Sequence, residues 1–537
     1  MPDYQRLRTP LSKMSFTPDI PSNALGPNEY NSGRNIETDL RGIRKADGEA
    51  AVLSAITGNP IYIEGGFRSE TTFVYIVATS QGKWWMVTNS SISNITPGVG
   101  ANPSVALSGY TDNTVITSSV VGGVFFFNDG LRPPMYFAPG FTEMRIYDAA
   151  PDNYVWDYEP SVSSVTAGFV RNFSSPNVGN ILISGNLTKN FTVGTTVNYP
   201  TTVRWSQAFA QTGIPETWEP TLNNVANEQE VPVRGPLIDG FMLGANFYVF
   251  SYWDAVVFSP ISYQSSTAPI FGVRQINNGR GLLSNNCFAV ADNTAYGFDA
   301  RDIWIFDGGQ FESIANQRIK NYFFSNLNPT YSHRAFMVNN SKKYQIEIYY
   351  PDLTSTGWCN KMLSYRYDLQ VWNPPKDIDT ACNATEGPVF ASSSFNLASR
   401  TVVYARNTTG SQLVQTGQGY SLVGGAAMPT LFERTNMYLE SGDGPVPYST
   451  KVYLHRALPE ITGTGAVDIS VGGSNSVGQS AKYGQTQRAN IDTDTPWVGT
   501  TQNAVRASAV KVETNNSTNT FNLSALNWQA TIVEDAF

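Results

Sequence analysis

The sequence has little charge, few cysteines and almost no histidine for its length. Its 537 residues include 35 Lys and Arg and 43 Asp and Glu, so 15% are charged, against about 25% in an average globular protein. The net charge of −8 excludes a protein that coats nucleic acid through bulk positive charge. The three cysteines, Cys287, Cys359 and Cys382, are not closely spaced, and they predict neither a disulfide framework nor a zinc knuckle.

Long apolar segments and catalytic motifs are lacking as well. The N-terminal residues have no apolar signal-peptide core. The most apolar stretch, 241–261, contains Asp254 and alternates small with aromatic residues, which predicts two strands rather than a membrane span. No Walker A loop, zinc-protease helix or hydrolase elbow is present, and we expect His333 and His455 to be structural. The sequence therefore predicts a soluble protein of a reducing cytoplasm, not an enzyme, with no cofactor and no metal.

Apolar and aromatic residues, in contrast, are abundant. They make up 41% and 12% of the chain, which is enough for a large core and excludes a disordered protein. The pattern divides the chain into three parts: an N-terminal arm over 1–50, a body over 51–430 and a C-terminal part over 431–537.

The arm is rich in proline and ends in a basic cluster. Four prolines between positions 10 and 27 break any long helix and predict extended segments. The basic cluster, just before the one helix candidate at 48–56, consists of Arg34, Arg41, Arg44 and Lys45. Such a segment is typical of an arm that clamps an acidic partner, and equally of an ordinary N-terminal tail.

The body alternates polar and apolar residues in short runs separated by Gly, Pro, Asn and Asp, which predict strands and turns. The first predicted strands are 61–63, 73–77, 84–87 and 124–127. Aromatic residues then recur with a spacing close to the about 40–50 residues of a four-stranded propeller blade. These residues are Trp85, Phe126, Trp156, Trp205, Trp253, Trp304 and Trp372.

One pair of segments within the body repeats. Residues 241–246 match 288–293, and 254–258 match 302–306, at nearly the same offset. Each copy predicts a hairpin with an Asn-containing turn, followed by an apolar strand that begins at Asp254 or Asp302. This is the pattern of a propeller blade whose strands pack against both neighbours, although two generic hairpins would also match by coincidence.

The C-terminal part continues with predicted strands at 452–454, 467–471, 505–512 and 521–523. Terminal strands of this kind either close a propeller by pairing near its start or form a separate β-sandwich, and the sequence leaves both open. The predicted fold class is all-β: a β-propeller of four-stranded antiparallel blades, with an extended N-terminal arm and C-terminal closing strands or a small β-domain.

Four stretches, in this order, resemble the tail nozzle proteins of short-tailed bacteriophages, also called tail tubular protein B. The first is LGPNEYNSGRNI at 25–36, followed by GIRK at 42–45 and Gly48. The others are VRWS at 203–206 with PETWEP at 215–220, GLLS at 281–284 with DIWIFDG at 302–308, and FER at 432–434 with 465–472.

The resemblance implies a homohexameric tube below the head-to-tail adaptor, with a propeller in each subunit. It also implies that the tube conducts double-stranded DNA during ejection, in a virion tail made in the host cytoplasm. Tail fibres or spikes would dock on such a tube, although the chain has little spare length for an inserted docking domain. No catalytic or metal residues come with the resemblance. The basic cluster of the arm is the candidate contact for the adaptor.

Two other functions remain open from the sequence. A carbohydrate-directed propeller, either an adhesin or a glycan depolymerase, would use exposed tryptophans such as Trp84, Trp85 and Trp358 to stack on sugar rings. At blade positions tryptophans are more often packing residues. An intracellular scaffold of the kelch type would need regular double-glycine repeats, which the sequence does not have.

Overall fold

The computed structural model describes residues 5–53, 56–98, 105–261, 270–276, 279–391, 394–437, 439–441, 444–446, 449–476, 478–493, 497–501 and 504–533. Strands dominate these residues. Their one α-helix is α1, Lys320–Asn326, and two 3-10 turns lie at Ser332–Arg334 and Ser341–Lys343. The protein is an all-β propeller with an extended N-terminal arm and an additional C-terminal β-structure, as the sequence predicted.

Seven short strands come from the N-terminal segment. They are β1 (Gln5–Pro10), β2 (Ser15–Phe16), β3 (Glu29–Tyr30), β4 (Ser32–Arg34), β5 (Ile36–Thr38), β6 (Ile43–Lys45) and β7 (Glu49–Leu53).

Five four-stranded antiparallel sheets follow, each with its strands in sequence order; we call them blades 1 to 5. Blade 1 contains β8 (Pro60–Phe67), β9 (Phe73–Thr79), β10 (Trp84–Val87) and β11 (Ile92–Asn94). Blade 2 contains β12 (Thr117–Val121), β13 (Val124–Asn128), β14 (Met135–Phe137) and β15 (Arg145–Ile146). Blade 3 contains β16 (Val162–Ser175), β17 (Gly179–Phe191), β18 (Thr196–Trp205) and β19 (Asn227–Glu230). Blade 4 contains β20 (Leu237–Leu243), β21 (Asn246–Ser251), β22 (Ala255–Pro260) and β23 (Phe271–Gln275), and blade 5 contains β24 (Phe288–Ala291), β25 (Thr294–Phe298), β26 (Ile303–Phe306) and β27 (Phe311–Ser313).

The next sheet has seven strands and supplies two further blades. It contains β28 (Phe336–Asn340), β29 (Gln345–Tyr350), β30 (Cys359–Arg366), β31 (Val371–Val389), β32 (Asn396–Arg406), β33 (Leu413–Thr416) and β7. The long strand β31 pairs with β30 up to Ala381 and with β32 from Ala381 onward. Its first half is therefore the outer strand of blade 6, and its second half is the inner strand of blade 7.

Apolar side chains fill the interface between each blade and the next, and this packing shows that the seven blades form a ring. Blades 1 and 2 share a core that includes Ile76 and Phe125, and blades 6 and 7 share one that includes Tyr349 and Tyr404. Blade 7 in turn packs on blade 1, where Tyr75 and Val403 belong to one core. The remaining interfaces have cores of the same kind. Each sheet itself stays open, so the ring is closed by side-chain packing.

The ring closes with a strand that the sequence predicted to be helical. Residues 49–53 of the helix candidate form β7, which pairs with β33 as the outer strand of blade 7; residues 54 and 55 lie outside the described part. The helix prediction was wrong because Ala50 and its neighbours complete an existing sheet. Long-range pairing of this kind outweighs a weak local propensity.

The predicted repeat is confirmed. Residues 241–246 and 288–293 form the inner hairpins of blades 4 and 5, and 254–258 and 302–306 form or adjoin their third strands. The equivalent rings of Phe241 and Phe288 pack together, with centroids 4.8 Å apart.

The C-terminal strands form two sheets around a shared apolar core, which we call the sandwich. Its strands are β34 (Thr430–Met437), β35 (Glu440–Ser441), β36 (Gly444–Pro445), β37 (Lys451–Thr464), β38 (Ala466–Ser474), β39 (Lys482–Tyr483), β40 (Gln487–Asn490), β41 (Val498–Gly499), β42 (Ala504–Val505), β43 (Ala507–Thr514) and β44 (Thr520–Val533). One sheet runs β36-β35-β1-β44-β37-β41, and the other runs β39-β38-β43-β34-β4. Strand β6 also pairs with β44 and with β5. The arm thus adds β1, β4, β5 and β6 to the sandwich and β7 to the propeller, and it ties the two together.

Candidate functional site: the propeller channel and its mouth

The basic cluster predicted for the adaptor contact is largely engaged inside the chain. Arg34 forms an ion pair with Asp377 of β31, at 2.8 Å. Lys45 is 1% exposed and donates to the backbone carbonyl of Asn519 at 3.1 Å, and burial lowers its pKa to about 8. Arg44 is used in the joint described next. Arg34 and Arg41 are both exposed, and among the described residues Arg41 is the exposed member of the cluster that forms no ion pair with a carboxylate.

The joint between arm and propeller is a partly buried charge cluster, formed by Glu37, Arg44, Asp47 and Lys343. Glu37 pairs with Arg44 and, at 2.8 Å, with Nζ of Lys343. Lys343 also pairs with Asp47, at 2.8 Å. Burial alone would raise the pKa of Glu37, but the charges of Lys343 and Arg44 outweigh it and lower the pKa to about 2. The joint therefore holds the arm against blade 6 through balanced charges.

Residues of the second resembling stretch, 203–206 and 215–220, lie in a closed cluster at blade 3. The guanidinium of Arg204, fully buried, pairs with Glu228 at 2.7 Å and with Glu159 at 3.1 Å. It also lies over the ring of Trp156, 5.1 Å from the centroid, and Trp156 meets Trp218 edge-on at 4.7 Å. This stretch therefore has a packing role.

The other resembling stretches also lie in internal contacts. Arg434 of β34 donates to the carbonyl of Gly26 at 3.0 Å, and the rings of Tyr30 and Phe432 pack 5.3 Å apart. The first and last stretches therefore meet where the arm crosses the sandwich. Within the third stretch, the indole of Trp304 donates to the carbonyl of Gly281 at 3.2 Å.

Polar side chains of the inner strands cross the propeller channel. Arg171 of β16 donates to both carboxylate oxygens of Asp239 on β20, at 2.8 and 2.7 Å. It also donates to the Asn286 side chain at 2.8 Å and to the Ser118 carbonyl at 2.7 Å. Asn286 donates onward to the carbonyl of Ile116 at 3.1 Å. Blades 2, 3, 4 and 5 are thus bonded together across the channel.

Glu64 of β8 completes this channel network from the side of blade 1. It accepts hydrogen bonds from Ser118, from Thr385 of β31 at 3.3 Å, and from the backbone of Gly65 at 3.0 Å. Its side chain is half-buried, and the surrounding protein desolvates it. This desolvation raises the pKa of Glu64 above its ordinary value of 4.5, against the opposing effects of the Ser118 bond and the Arg171 charge.

Two adjoining cavities lie at the end of the channel where the inner strands begin. The mouth cavity, of about 50 Å³, includes Ile61, Tyr62, Asp112, Asn113, Asn285, Asn286, His333, Arg334, Trp358 and Asn383 in its wall. The side groove, of about 400 Å³, includes hydroxyl and amide side chains in its wall, among them Thr111, Thr166, Asn186 and Thr188. The two share Asn113, Thr114, Val115 and Asn285, so they form one continuous surface.

Arg334 is the cation of the mouth cavity, and its bonds go to neutral acceptors. It donates to the carbonyl of Gly357 at 2.8 Å and to the side-chain oxygen of Asn113 at 2.7 Å. The guanidinium stacks on Trp358, 4.0 Å from the ring centroid. No carboxylate of the described residues forms an ion pair with it. Arg334 thus differs from Arg171, which Asp239 neutralises.

The tryptophans considered for sugar stacking are mostly covered. Trp84 is 0% exposed and bonds to Tyr110 at 3.0 Å, so it is a core residue. Trp85 is half-buried, and Arg334 occupies one face of Trp358. Of the two histidines, His455 bonds to Thr531 at 2.9 Å, whereas His333 is exposed at the mouth.

The three cysteines, which are far apart in sequence, converge behind the mouth cavity. Cys287 donates to the carbonyl of Ala335 at 3.1 Å, and Cys359 donates to that of Arg334 at 3.3 Å, while Cys382 lines the cavity. All three are buried and free, and burial raises the pKa of each thiol. No sequence signal could have found this convergence, because each cysteine lies on a different strand or turn.

Within the described part of the chain, no group of three or more His, Cys, Asp or Glu side chains is placed to hold a metal ion. In those same residues, no helix is long and apolar enough to cross a membrane.

Comparison with known proteins yields likenesses of fold alone. No protein-family model matches the sequence, and no curated protein matches it. The solved structure of BBS1N in complex with ARL6DN has a TM-score of 0.38 at 8% identity, over 68% of this chain and 93% of that chain. The computationally designed Ika8 protein has a TM-score of 0.34 at 8% identity, over 69% of this chain and 99% of that chain. A shared fold does not imply a shared function.

Proposed function

We propose that the chain is a structural virion protein, the tail nozzle of a short-tailed bacteriophage. In this proposal six copies form a ring below the head-to-tail adaptor, and the ring conducts DNA during ejection. Tail fibres or spikes dock on the outside of the ring. The chain acts mechanically and not as an enzyme.

The observation that carries the proposal is the position of the four resembling stretches. Gly26 bonds to Arg434, Arg204 lies in a buried cluster, and Trp304 bonds to Gly281. These contacts lie within blade 3, beside blade 5 and where the arm meets the sandwich, and none of them lies in the mouth cavity. Residues with such positions maintain the shape of a subunit, which is what a rigid assembly requires.

The DNA path of this assembly runs between subunits rather than through a propeller. Arg171, Asp239 and Asn286 cross the channel of the single chain with direct hydrogen bonds. A duplex therefore has no passage there, and a bore must be enclosed by several copies arranged head to tail in a closed ring.

The adaptor contact is proposed to centre on Arg41, since Arg34, Arg44 and Lys45 have partners within the chain. Removal of the whole arm would not test this, because the arm supplies strands to both sheets of the sandwich and supplies β7 to blade 7. A charge reversal does. We expect Arg41→Glu to fold normally and to lose binding to the adaptor, as measured by co-sedimentation of purified proteins. The control is Arg318→Glu, which changes an exposed arginine just before α1. Equal binding of the adaptor by both variants would contradict a contact at Arg41.

Antibody-gold labelling of particles from the source culture tests the proposal as a whole. Serum raised against the recombinant chain should label the tip of a short tail, and electron microscopy of that tip should then show a six-fold ring. Particles without any label would overturn the nozzle proposal.

The alternative is a carbohydrate-directed propeller, and the hydroxyl- and amide-lined side groove favours it. A glycan array detects an adhesin, and a reducing-sugar assay detects a depolymerase. A nozzle without carbohydrate function gives no signal in either assay.

A further inference from the structure

The charge of Arg334 is the feature of the mouth that the proposed nozzle does not use. Guanidinium groups have five N–H donors, and Arg334 donates to Gly357 and Asn113, which are both neutral acceptors. Elsewhere in the channel and the joint, arginines bond to carboxylates, as Arg171 and Arg44 do. A guanidinium that lines a cavity and forms no ion pair with the described carboxylates is suited to receive a carboxylate ligand, because paired N–H groups bind a planar carboxylate with two parallel hydrogen bonds.

The surroundings of Arg334 narrow the class of ligand. The planar group is held flat against Trp358 and is anchored at both Nη atoms, so it is preorganised. The adjoining side groove offers Thr111, Thr166 and Thr188, whose hydroxyls both donate and accept hydrogen bonds. A ligand whose acidic group binds Arg334 therefore extends into a side groove that can form hydrogen bonds with hydroxyl groups.

We propose that the mouth of the propeller binds a small carboxylate that also carries hydroxyl groups, such as a sugar acid. The carboxylate pairs with Arg334 in the mouth cavity, and the hydroxyl groups bond to the threonines and amides of the side groove. This binding does not depend on the nozzle proposal, since it uses one chain and no assembly.

Two neighbouring residues give substitutions with opposite expected effects. Asn113 already bonds to Arg334 at 2.7 Å, so Asn113→Asp places a competing carboxylate on the guanidinium. Asp112 lines the same cavity and its charge acts on Arg334, so Asp112→Asn removes a repulsion of the ligand. Both residues are exposed, and the amide introduced by Asp112→Asn retains an oxygen for the bond that Asn407 now donates to Asp112 at 3.2 Å.

Isothermal titration calorimetry of the full chain with D-glucuronate tests the proposal. We expect binding to the parent, about tenfold weaker binding to Asn113→Asp, and no detectable binding to Arg334→Gln, because a charged hydrogen bond is lost. Asp112→Asn should bind about threefold more tightly, through reduced repulsion at the surface. Arg318→Gln, an arginine outside the mouth that bonds to a backbone carbonyl, is the matched control and should bind like the parent.

Further ligands separate the two parts of the site. Acetate should bind more weakly than glucuronate, and glucose should not bind. Equal affinity for acetate and glucuronate would overturn the role of the side groove, and tighter binding of phosphate would overturn the carboxylate class. No binding to the parent, or the same affinity for the parent and Asn113→Asp, would overturn the site. Thermal unfolding without ligand shows whether each variant is folded, and the two exposed-loop variants keep the test valid if Arg334→Gln does not fold.

Discussion

Glu37 in the joint and Glu64 in the channel are both desolvated carboxylates, yet their pKa values are shifted in opposite directions. Glu37 lies between Lys343 and Arg44, and its pKa falls to about 2. Glu64 accepts hydrogen bonds from hydroxyl and amide groups, and its pKa is raised. The cation nearest to Glu64, Arg171, is committed to Asp239.

Burial acts to raise the pKa of both carboxylates, and the charges of their partners decide whether that effect is outweighed. Glu37 is only 4% exposed and still stays ionised, because two cations face it. Glu64 retains some exposure and is shifted the other way. Glu347 of β29 follows the channel pattern, since Asn340 and Tyr349 are its hydrogen-bond donors, and burial raises its pKa.

The largest expected effect comes from removing the channel cation. Arg171→Met leaves Asp239, which is 0% exposed, without a charged partner. We expect the free energy of unfolding to fall by about 4 kcal/mol, as for other broken buried ion pairs. Arg8→Met is the control, because Arg8 and Glu460 are 56% and 38% exposed, and such a pair contributes about 1 kcal/mol or less. Similar losses for the two variants, measured by chemical unfolding, would refute the role of the channel pair.

Removal of the joint carboxylate should be nearly as costly. Glu37→Gln leaves Arg44 and Lys343 with Asp47 as their shared carboxylate, and we expect a loss of about 3 kcal/mol at pH 7. Because the pKa of Glu37 in the folded protein is about 2, its contribution to stability is fully present at pH values above its ordinary pKa of 4.5. This contribution is lost as the pH falls toward 2. The difference in the free energy of unfolding between the parent and Glu37→Gln should therefore become smaller in acid. A difference that does not change with pH would contradict the lowered pKa of Glu37.

The channel carboxylate should show the reverse dependence on pH. Because the folded pKa of Glu64 is raised, its contribution to stability is fully present below pH 4.5 and is lost as the pH rises through the folded pKa. We expect Glu64→Gln to change the free energy of unfolding at pH 7 by less than about 1 kcal/mol. As the pH rises from 4 to 7, the variant should become more stable relative to the parent. If the difference in the free energy of unfolding between parent and variant were the same at every pH, the raised pKa of Glu64 would be contradicted.

A similarly small effect is expected from the loss of a single neutral donor. Ser118→Ala removes one hydroxyl that donates to Glu64 and should cost about 1 kcal/mol. It should also raise the pKa of Glu64 further, which moves the pH-dependent loss to higher pH. Ser174→Ala, at an exposed bond to Asn180 of 2.7 Å, is the control and should leave the pH profile unchanged.

Much of the fold followed from local pattern. The strand at 84–87 has the predicted limits, and the repeat of 241–246 and 288–293 corresponds to two adjacent blades. Alternation of polar and apolar residues is visible over four or five residues, so a single sequence reveals it. The helix candidate at 48–56 was wrong because the same few residues fit a sheet edge formed by β33, more than 350 positions away.

The site was far less predictable. Arg34, Arg44 and Lys45 read as a free basic cluster, yet their partners come from β31, the joint and the 516–519 turn. Nothing in the sequence marked Arg171 or Arg334 out from the other arginines, and nothing linked Cys287, Cys359 and Cys382. Such properties depend on which groups lie within a few ångströms, which spacing along the chain does not give.

The sequence by itself determined an all-β chain, its blade hairpins, and a core of aromatic and aliphatic residues, because hydrophobic alternation with turn residues specifies strands locally. Only the tertiary structure decided that β7 completes blade 7 and that the C-terminal strands form the sandwich. The tertiary structure also decided which charges are neutralised, since the electrostatic energy of a pair depends on distance and on desolvation. For this reason Arg171 stabilises the channel, whereas Arg334 is left with neutral acceptors at its mouth.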